Sequence, residues 1–349
     1  RQKSKTTVIV ITCKHEEGIY TGRSRKMKRF VNSWTGIFIV FILLYLLKGL
    51  LPMAFLTEVV IFSIYAMGCS FLIGRLGLTS FGQPAFLAFG AYGAGIYLYY
   101  FGTNSYVAIL VGVLASLVIN MIVGTFLVRL NSSYFTLCNQ AFCVVTFFIF
   151  QKALVKWTFG DNGLLLISRM DPTPVIDLTS SKGIYLFSFI VAILVWLFFN
   201  YLMKKSVFGA TCLCVKDNEE KLRFLGYKTF NIKWLAFVIA NTVAGLAGAI
   251  YTVYFCMVNA NIASVSSASE AVAISMLGGA GTLFGPLVGS FLFIGLKDIV
   301  SQFISHWEVL VGFLLIIVML AGEKGIVGSL ETYLEKRKAR KKPVATGVV

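Results

Sequence analysis

The chain has 349 residues, of which 58% are apolar and 13% charged, with a formal net charge of +16 and a mean hydropathy of +0.83. A soluble domain spends about a quarter of its residues on Asp, Glu, Lys and Arg. This chain cannot cover itself with polar surface, which excludes a soluble enzyme, a secreted disulfide scaffold and a disordered tail. The composition predicts an all-α polytopic membrane protein.

Residues 1–26 carry net charge +5 and only a short apolar patch, Val8-Ile9-Val10-Ile11. Met27-Lys28-Arg29-Phe30 then reads as an ordinary start before a membrane span. Residues 1–26 are therefore expected to be a non-native or disordered extension, residues 27–330 the transmembrane domain, and residues 331–349 a basic cytoplasmic tail. The segment has no full apolar region with a small-residue cleavage site, which argues against a signal peptide.

Crossing about 30 Å of hydrocarbon takes around 20 helical residues. On that basis spans are expected near 34–50, 53–74, 84–101, 105–129, 133–151, 183–203, 232–256, 268–281, 284–303 and 307–322, about ten in all. With the Lys28 end inside, Arg75, Arg129, the +4 segment 204–233 and the basic tail all face the cytoplasm. The loop 152–182, with four basic and three acidic residues, falls outside. This arrangement obeys the positive-inside rule, whereas nine or eleven spans would misplace a basic block. The basic blocks lack the interleaved aromatics of a nucleic-acid surface, so no nucleic-acid partner is expected. The loop 152–182 is either a connector or a docking surface for an external partner.

Glycines fall inside the spans: Gly90, Gly93 and Gly95, then Gly245 and Gly248, then Gly278, Gly279, Gly281, Gly285 and Gly289. They serve either close helix packing or interruptions of helices within the membrane. Two stretches favour interruptions. Thr79-Ser80-Phe81-Gly82-Gln83-Pro84 and Thr282-Leu283-Phe284-Gly285-Pro286 share T-x-F-G followed closely by Pro. With the adjacent Gly278, Gly279 and Gly281, and with Glu270 as an ionisable residue of the spans, they nominate Thr79, Phe81, Gly82, Pro84, Glu270, Gly278, Gly279, Gly281, Gly285 and Pro286 as pathway or hinge residues.

Ionisable residues in the spans are few: Glu58, Glu270, Lys297 and Asp298. Adjacent Lys297 and Asp298 point about 100° apart on a helix and make imperfect partners. No carboxylate ladder suggests a proton-driven carrier. The seven cysteines form no CxxC, and His15 and His306 are far apart, so no metal site is expected.

Between two spans, residues 217–226 read as a cytoplasmic helix of about three turns at most. Asp217 and Asn218 are plausible N-caps, Glu219 and Glu220 suit the first turn, Leu222 and Leu225 offer an apolar edge, and Gly226 can end it. The segment is either a solvated connector or a lever gripped by a cytoplasmic partner.

These residues resemble the permease subunits of ATP-binding-cassette importers for branched-chain amino acids, the LivM type. The resemblance rests on Lys216-Asp217-Asn218-Glu219 through Leu225-Gly226, and on Leu235-Ala236-Phe237 through Ala244-Gly245-Leu246-Ala247-Gly248-Ala249-Ile250-Tyr251. It continues in Ser269-Glu270 with Gly278-Gly279-Ala280-Gly281-Thr282-Leu283-Phe284-Gly285-Pro286, in Leu78-Thr79 through Gly90-Ala91-Tyr92, and in Phe159-Gly160-Asp161-Asn162-Gly163-Leu164. Together these span most of residues 70–328 in order. Thr79, Pro84, Asp161 and Lys221-Leu222 depart from the usual pattern.

The resemblance implies an ABC importer permease fold in a bacterial or archaeal cytoplasmic membrane, with both termini cytoplasmic. It implies a second permease, two cytoplasmic ATPases gripping the coupling helix at 217–226, and an extracytoplasmic solute-binding protein. The chain has no G-x-x-x-x-G-K-[ST] loop, so it is expected to be no enzyme and to hold no cofactor, with ATP and Mg on the ATPase. Branched-chain amino acids are the expected solute; urea, amides or other small polar solutes are the alternative within the family. A stand-alone channel or ion-coupled carrier and a membrane-embedded enzyme are the competing classes, and the latter lacks any visible catalytic cluster.

Overall fold

The computed structural model describes residues 52–302 apart from 167–169, 173–175 and 283, together with the isolated positions 309, 312, 313 and 316. The spans expected at 34–50 and 307–322 lie wholly or almost wholly outside these, as do residues 1–26 and 331–349.

In chain order the helices are α1 Met53–Phe71, α2 Gln83–Ile96, α3 Ser105–Leu127, α4 Ser132–Phe148, α5 Val155–Thr158, α6 Ser181–Lys204, α7 Val207–Phe224, α8 Thr229–Phe255, α9 Val265–Gly278 and α10 Gly285–Ser301. Widened turns extend α1 to Leu76, α2 to Phe101 and α4 to Ala153. The sole departure from all-α among the described residues is a two-stranded ladder. Leu164–Leu165 (β1) pairs antiparallel with Met257–Val258 (β2).

Five helices are long and apolar enough to cross a bilayer: Met53–Leu76, Ser105–Leu127, Ser132–Ala153, Ser181–Lys204 and Thr229–Phe255. All five fall on expected spans. α9 differs. Its 14 residues cover about 21 Å, short of the ~30 Å hydrocarbon thickness. It starts and stops earlier than the expected 268–281, because Gly279 at φ 104° turns the chain out of the helix.

In lipid, small residues let helices meet while large apolar ones face the acyl chains. α3 is built that way. Its buried stripe is Ser105, Ala108, Gly112, Ser116, Asn120 and Gly124, while Leu110, Leu114, Val118, Ile122 and Phe126 are exposed. The stripe packs on α2 and α8. Ser116 Oγ donates to Phe86 O at 3.1 Å, Asn120 Nδ2 to Val238 O at 2.8 Å, and Thr252 Oγ1 to Ala91 O at 3.0 Å. Each side-chain bond crosses between helices. Backbones come so close that a methyl group at Gly90, Gly112 or Gly248 would collide with a backbone oxygen of a neighbouring helix. Close packing is thus the role of these glycines.

The charges separate along the helix axes. One end carries Arg75, Arg129, Lys204, Lys205 and all of α7, which packs on the Leu72–Leu76 turn. Lys216 Nζ donates to Ile73 O at 3.5 Å, and the Arg129 guanidinium sits 5.5 Å from the Phe230 ring centre. The other end holds Lys152, Lys156, Lys182, Asp161, Asp171 and Asp177 in near balance.

Candidate translocation cavity and coupling surface

The two T-x-F-G…P stretches do the same local job. Each carries the chain through non-helical backbone and starts a new helix with Pro in its first turn, Pro84 in α2 and Pro286 in α10. Proline suits that position because its missing N–H has no intrahelical partner there anyway. The first break, from Gly77 (φ 70°) to Gly82, is held by α4. Thr136 Oγ1 donates to Thr79 O at 3.0 Å and Asn139 Nδ2 to Ser80 Oγ at 2.6 Å. The second, at Gly279–Phe284, is held by α1: Gly281 N–H donates to Ser70 Oγ at 3.1 Å. Inside it, Thr282 Oγ1 bonds Gly279 O at 2.8 Å and accepts from Gly285 N–H at 3.0 Å. Side chain at Gly74 would run into Gly281, so both breaks flank the cation-rich end of α1.

Towards the opposite end, a cavity of about 430 Å³ opens among α1, α2, α8, α9 and α10. Ile61, Phe62, Leu87, Tyr251 and Ile262 form its apolar wall; Tyr65, Asn259, Asn261, Ser264, Glu270 and Lys297 form its polar one. Of the sequence-nominated pathway residues, Glu270 lines this cavity; Thr79, Phe81, Gly82, Pro84, Gly278, Gly279, Gly281, Gly285 and Pro286 sit at or beside the breaks. Lys297 pairs with Glu270 across α9 and α10, Nζ to Oε1 3.5 Å. Its ammonium also lies 5.8 Å from the Phe62 ring centre.

The stretch 159–164 anchors the cavity's rim. Phe159, Gly160 and Gly163 take left-handed φ of 58°, 57° and 68°, and the chain then enters β1. Strand β2 is pinned by that ladder, and Asn259 and Asn261 follow it directly. The loop expected at 152–182 contains α5, a 3₁₀ turn at Gly160–Asn162 and β1.

A buried polar line leads on from the cavity. Tyr65 is 2% exposed and its hydroxyl has no hydrogen-bond partner among the described residues. One turn further along α1, Gly68 lies against the Gln83 amide and the Ala240 carbonyl. Both polar side-chain atoms of Gln83 and of Asn241 are buried and likewise unpartnered among the described residues. Such groups are costly unless something polar meets them.

At the cation-rich end, α7 is longer than the short helix expected at 217–226. It begins at Val207, with Ser206 Oγ accepting from Phe208 N–H at 3.1 Å, and breaks at Asn218 (φ −162°, ψ 99°). Asn218 rather than Asp217 caps the second part: its Oδ1 accepts from Lys221 N–H at 2.9 Å. The end is a Schellman turn. Tyr227 N–H donates to Leu222 O at 3.3 Å and Gly226 N–H to Arg223 O at 2.9 Å, with Gly226 at φ 86°.

Leu222 and Leu225 do not share an apolar edge, because the stub turns Leu222 inward, 2% exposed, and leaves Leu225 53% exposed. Phe224 is 90% exposed, and the sequence reading missed it. Glu220 is exposed, and the half-buried Glu219 anchors the stub through Lys233, 2.9 Å away, and Arg223, 3.4 Å away.

Burial works against the charged form of Glu219. The hydrogen bond and charge of Lys233, with Thr229 and Arg223, outweigh it and hold the carboxyl below its ordinary value of 4.5. A carboxyl lowered by folding stabilises fully above its unfolded value and loses that contribution as pH falls through the folded one. The anchor is therefore complete at neutral pH and releases in acid below 4.5. Lys233→Met is expected to cost the docked stub about 1–2 kcal/mol and to speed amide hydrogen exchange over residues 219–226 at neutral pH. Exchange as slow as in the parent chain would show the pair to be idle.

Among the described residues no group of three or more His, Cys, Asp or Glu is placed to hold a metal ion.

Membrane-crossing helices interrupted at glycine–proline breaks, around a polar-lined cavity, define a membrane permease. The family model described as "Branched-chain amino acid transport system / permease component" matches residues 51–320, and the chain belongs to that family. It is similar to the high-affinity branched-chain amino acid transport system permease protein LivM of Salmonella typhimurium, 21% identical over 82% of this chain and 72% of that protein. LivM of Escherichia coli K12 is 22% identical over 80% and 70%. The autoinducer 2 import system permease protein LsrC of Escherichia coli O9:H4 is 24% identical over 54% and 56%. No solved structure matches the chain significantly.

Proposed function

We propose that this chain is one of two permease subunits of an ATP-driven importer of branched-chain amino acids in a bacterial or archaeal cytoplasmic membrane. ATP and Mg belong to two separate ATPase chains on the cytoplasmic side, and an external binding protein delivers the solute to the cavity end. The cation-rich end faces the cytoplasm, which follows the positive-inside rule and puts both termini inside.

The observation that carries this reading is the Schellman-capped stub 219–226. It is tied to the helix bundle at Leu222 and Glu219, yet presents Phe224 and Leu225 to the cytoplasmic side. A bulky aromatic that is 90% exposed on a rigid stub is what a partner's pocket grips. A push on the stub passes through Lys233 into α8 and through Lys216 into the end of α1, where both breaks lie. Tilting there would open one face of the path and close the other. The similarity to LivM supports an amino acid solute.

The test is uptake by proteoliposomes containing this chain with its co-expressed permease and ATPases. Leucine accumulation that requires ATP and the external binding protein is expected. Accumulation driven by an ion gradient in the purified chain alone would favour the carrier reading, and uptake of urea or a sugar in place of leucine would reassign the solute.

A further inference from the structure

We infer that the cavity is itself a recognition site for a zwitterion, with Glu270 receiving the α-ammonium and Lys297, which lines the same cavity as the first turn of α9, receiving the α-carboxylate. The inference deepens the importer reading and takes its probe, leucine, from it.

The cavity holds both signs of charge on facing helices, Glu270 on α9 and Lys297 on α10. A site for urea or a sugar needs neither charge. A site for a simple cation has no use for the lysine. Glu58 and Asp298 also act electrostatically on this cluster, so an ammonium is favoured nearby, while Lys297 supplies the anion's partner.

The ion pair is also loose. Its N–O distance is 3.5 Å, where a tight charge-assisted bond has about 2.7–2.9 Å, and a zwitterion seated between its members would give each a new opposite charge. The Lys297 side chain keeps 26% exposure and Glu270 keeps 9%, so both reach the cavity from a mostly dry wall.

Two further features point the same way. α9 is a half-length helix whose first turn, Ser264 to Ser267, lines the cavity. The positive end of such a half-span helix favours a carboxylate. Tyr65 also lines this space, and its buried hydroxyl, unpartnered among the described residues, lies in the same wall as a polar group still to be satisfied. The apolar wall of Ile61, Phe62 and Leu87 then suits an aliphatic side chain.

The experiment is equilibrium binding of tritiated leucine to the purified permease complex in nanodiscs, without the external binding protein. Leucine is competed with N-acetylleucine, which lacks the ammonium, and leucinamide, which lacks the carboxylate. Leucine binding, with each analogue weaker by about ten- to a hundredfold and a loss of similar size in Glu270→Gln and in Lys297→Gln, is expected. The charge-exchanged double variant Glu270→Lys, Lys297→Glu keeps a pair and serves where a single variant fails to fold; it is expected to retain leucine binding better than either single change.

No leucine binding, equal binding of leucinamide, or variants that bind as the parent does would each overturn the inference. Failure here with ATPases still co-purifying would leave the importer reading standing. Binding without any ATPase partner would sink the importer reading and keep this one.

Discussion

Phe224→Ala is expected to leave the chain folded in the membrane and to remove most ATP-driven uptake. Phe224 makes no contact that folding needs, being 90% exposed, so detergent thermal unfolding is expected to match the parent. Seated in a partner's pocket, an aromatic anchor of this kind is worth about 2–4 kcal/mol, a loss of roughly thirty- to a thousandfold in affinity. The check is ATPase retained on the tagged chain in mild detergent, alongside uptake by whole cells. Leu225→Ala should act in the same direction and more weakly. Uptake at parental level in the Phe224 variant would show that the stub is not gripped.

Gly90→Ala has the opposite signature: it is expected to remove folded protein rather than coupling. The added methyl meets the carbonyl of Gly245 on α8, a backbone atom that cannot swing aside as a side-chain tip can. Overpacking of that kind costs about 3 kcal/mol or more, because α2 and α8 must separate and strain the Ser116–Phe86 and Thr252–Ala91 bonds beside them. Membrane-inserted yield and thermal stability read the loss. Gly295→Ala on α10 is the matched control: its nearest atom would be Phe55 Cζ at 3.7 Å, an ordinary contact, and near-parental yield is expected. Equal behaviour of the two variants would contradict the packing role assigned to Gly90.

What could be read from the sequence follows from how local the signal is. The spans within the described residues were legible from apolar length alone, and the two breaks from Gly and Pro at matching offsets, since both residues act on their own backbone. Gly226 was legible for the same reason. The Glu270–Lys297 pair was not, because it joins two helices whose relative rotation no local pattern fixes; helix geometry made Asp298 an imperfect partner but named no other. The first half of α7 was hidden by Val207, Gly209 and Thr211, poor helix formers, in a helix held by tertiary packing, Gly209 against Leu202 of α6 and Lys216 against Ile73 at the α1 end. Exposure of Phe224 was invisible because an aromatic in an apolar chain reads as buried until the stub's orientation is known.

The most direct test of the central claim is to purify the tagged chain from mild detergent, co-expressed with its neighbouring genes, and to identify by mass spectrometry what remains bound. A second permease and an ATPase carrying a phosphate-binding G-x-x-x-x-G-K-[ST] loop are expected, with the ATPase lost on Gly226→Pro. A chain that emerges alone, folded, and moves leucine in liposomes without ATP would contradict the account.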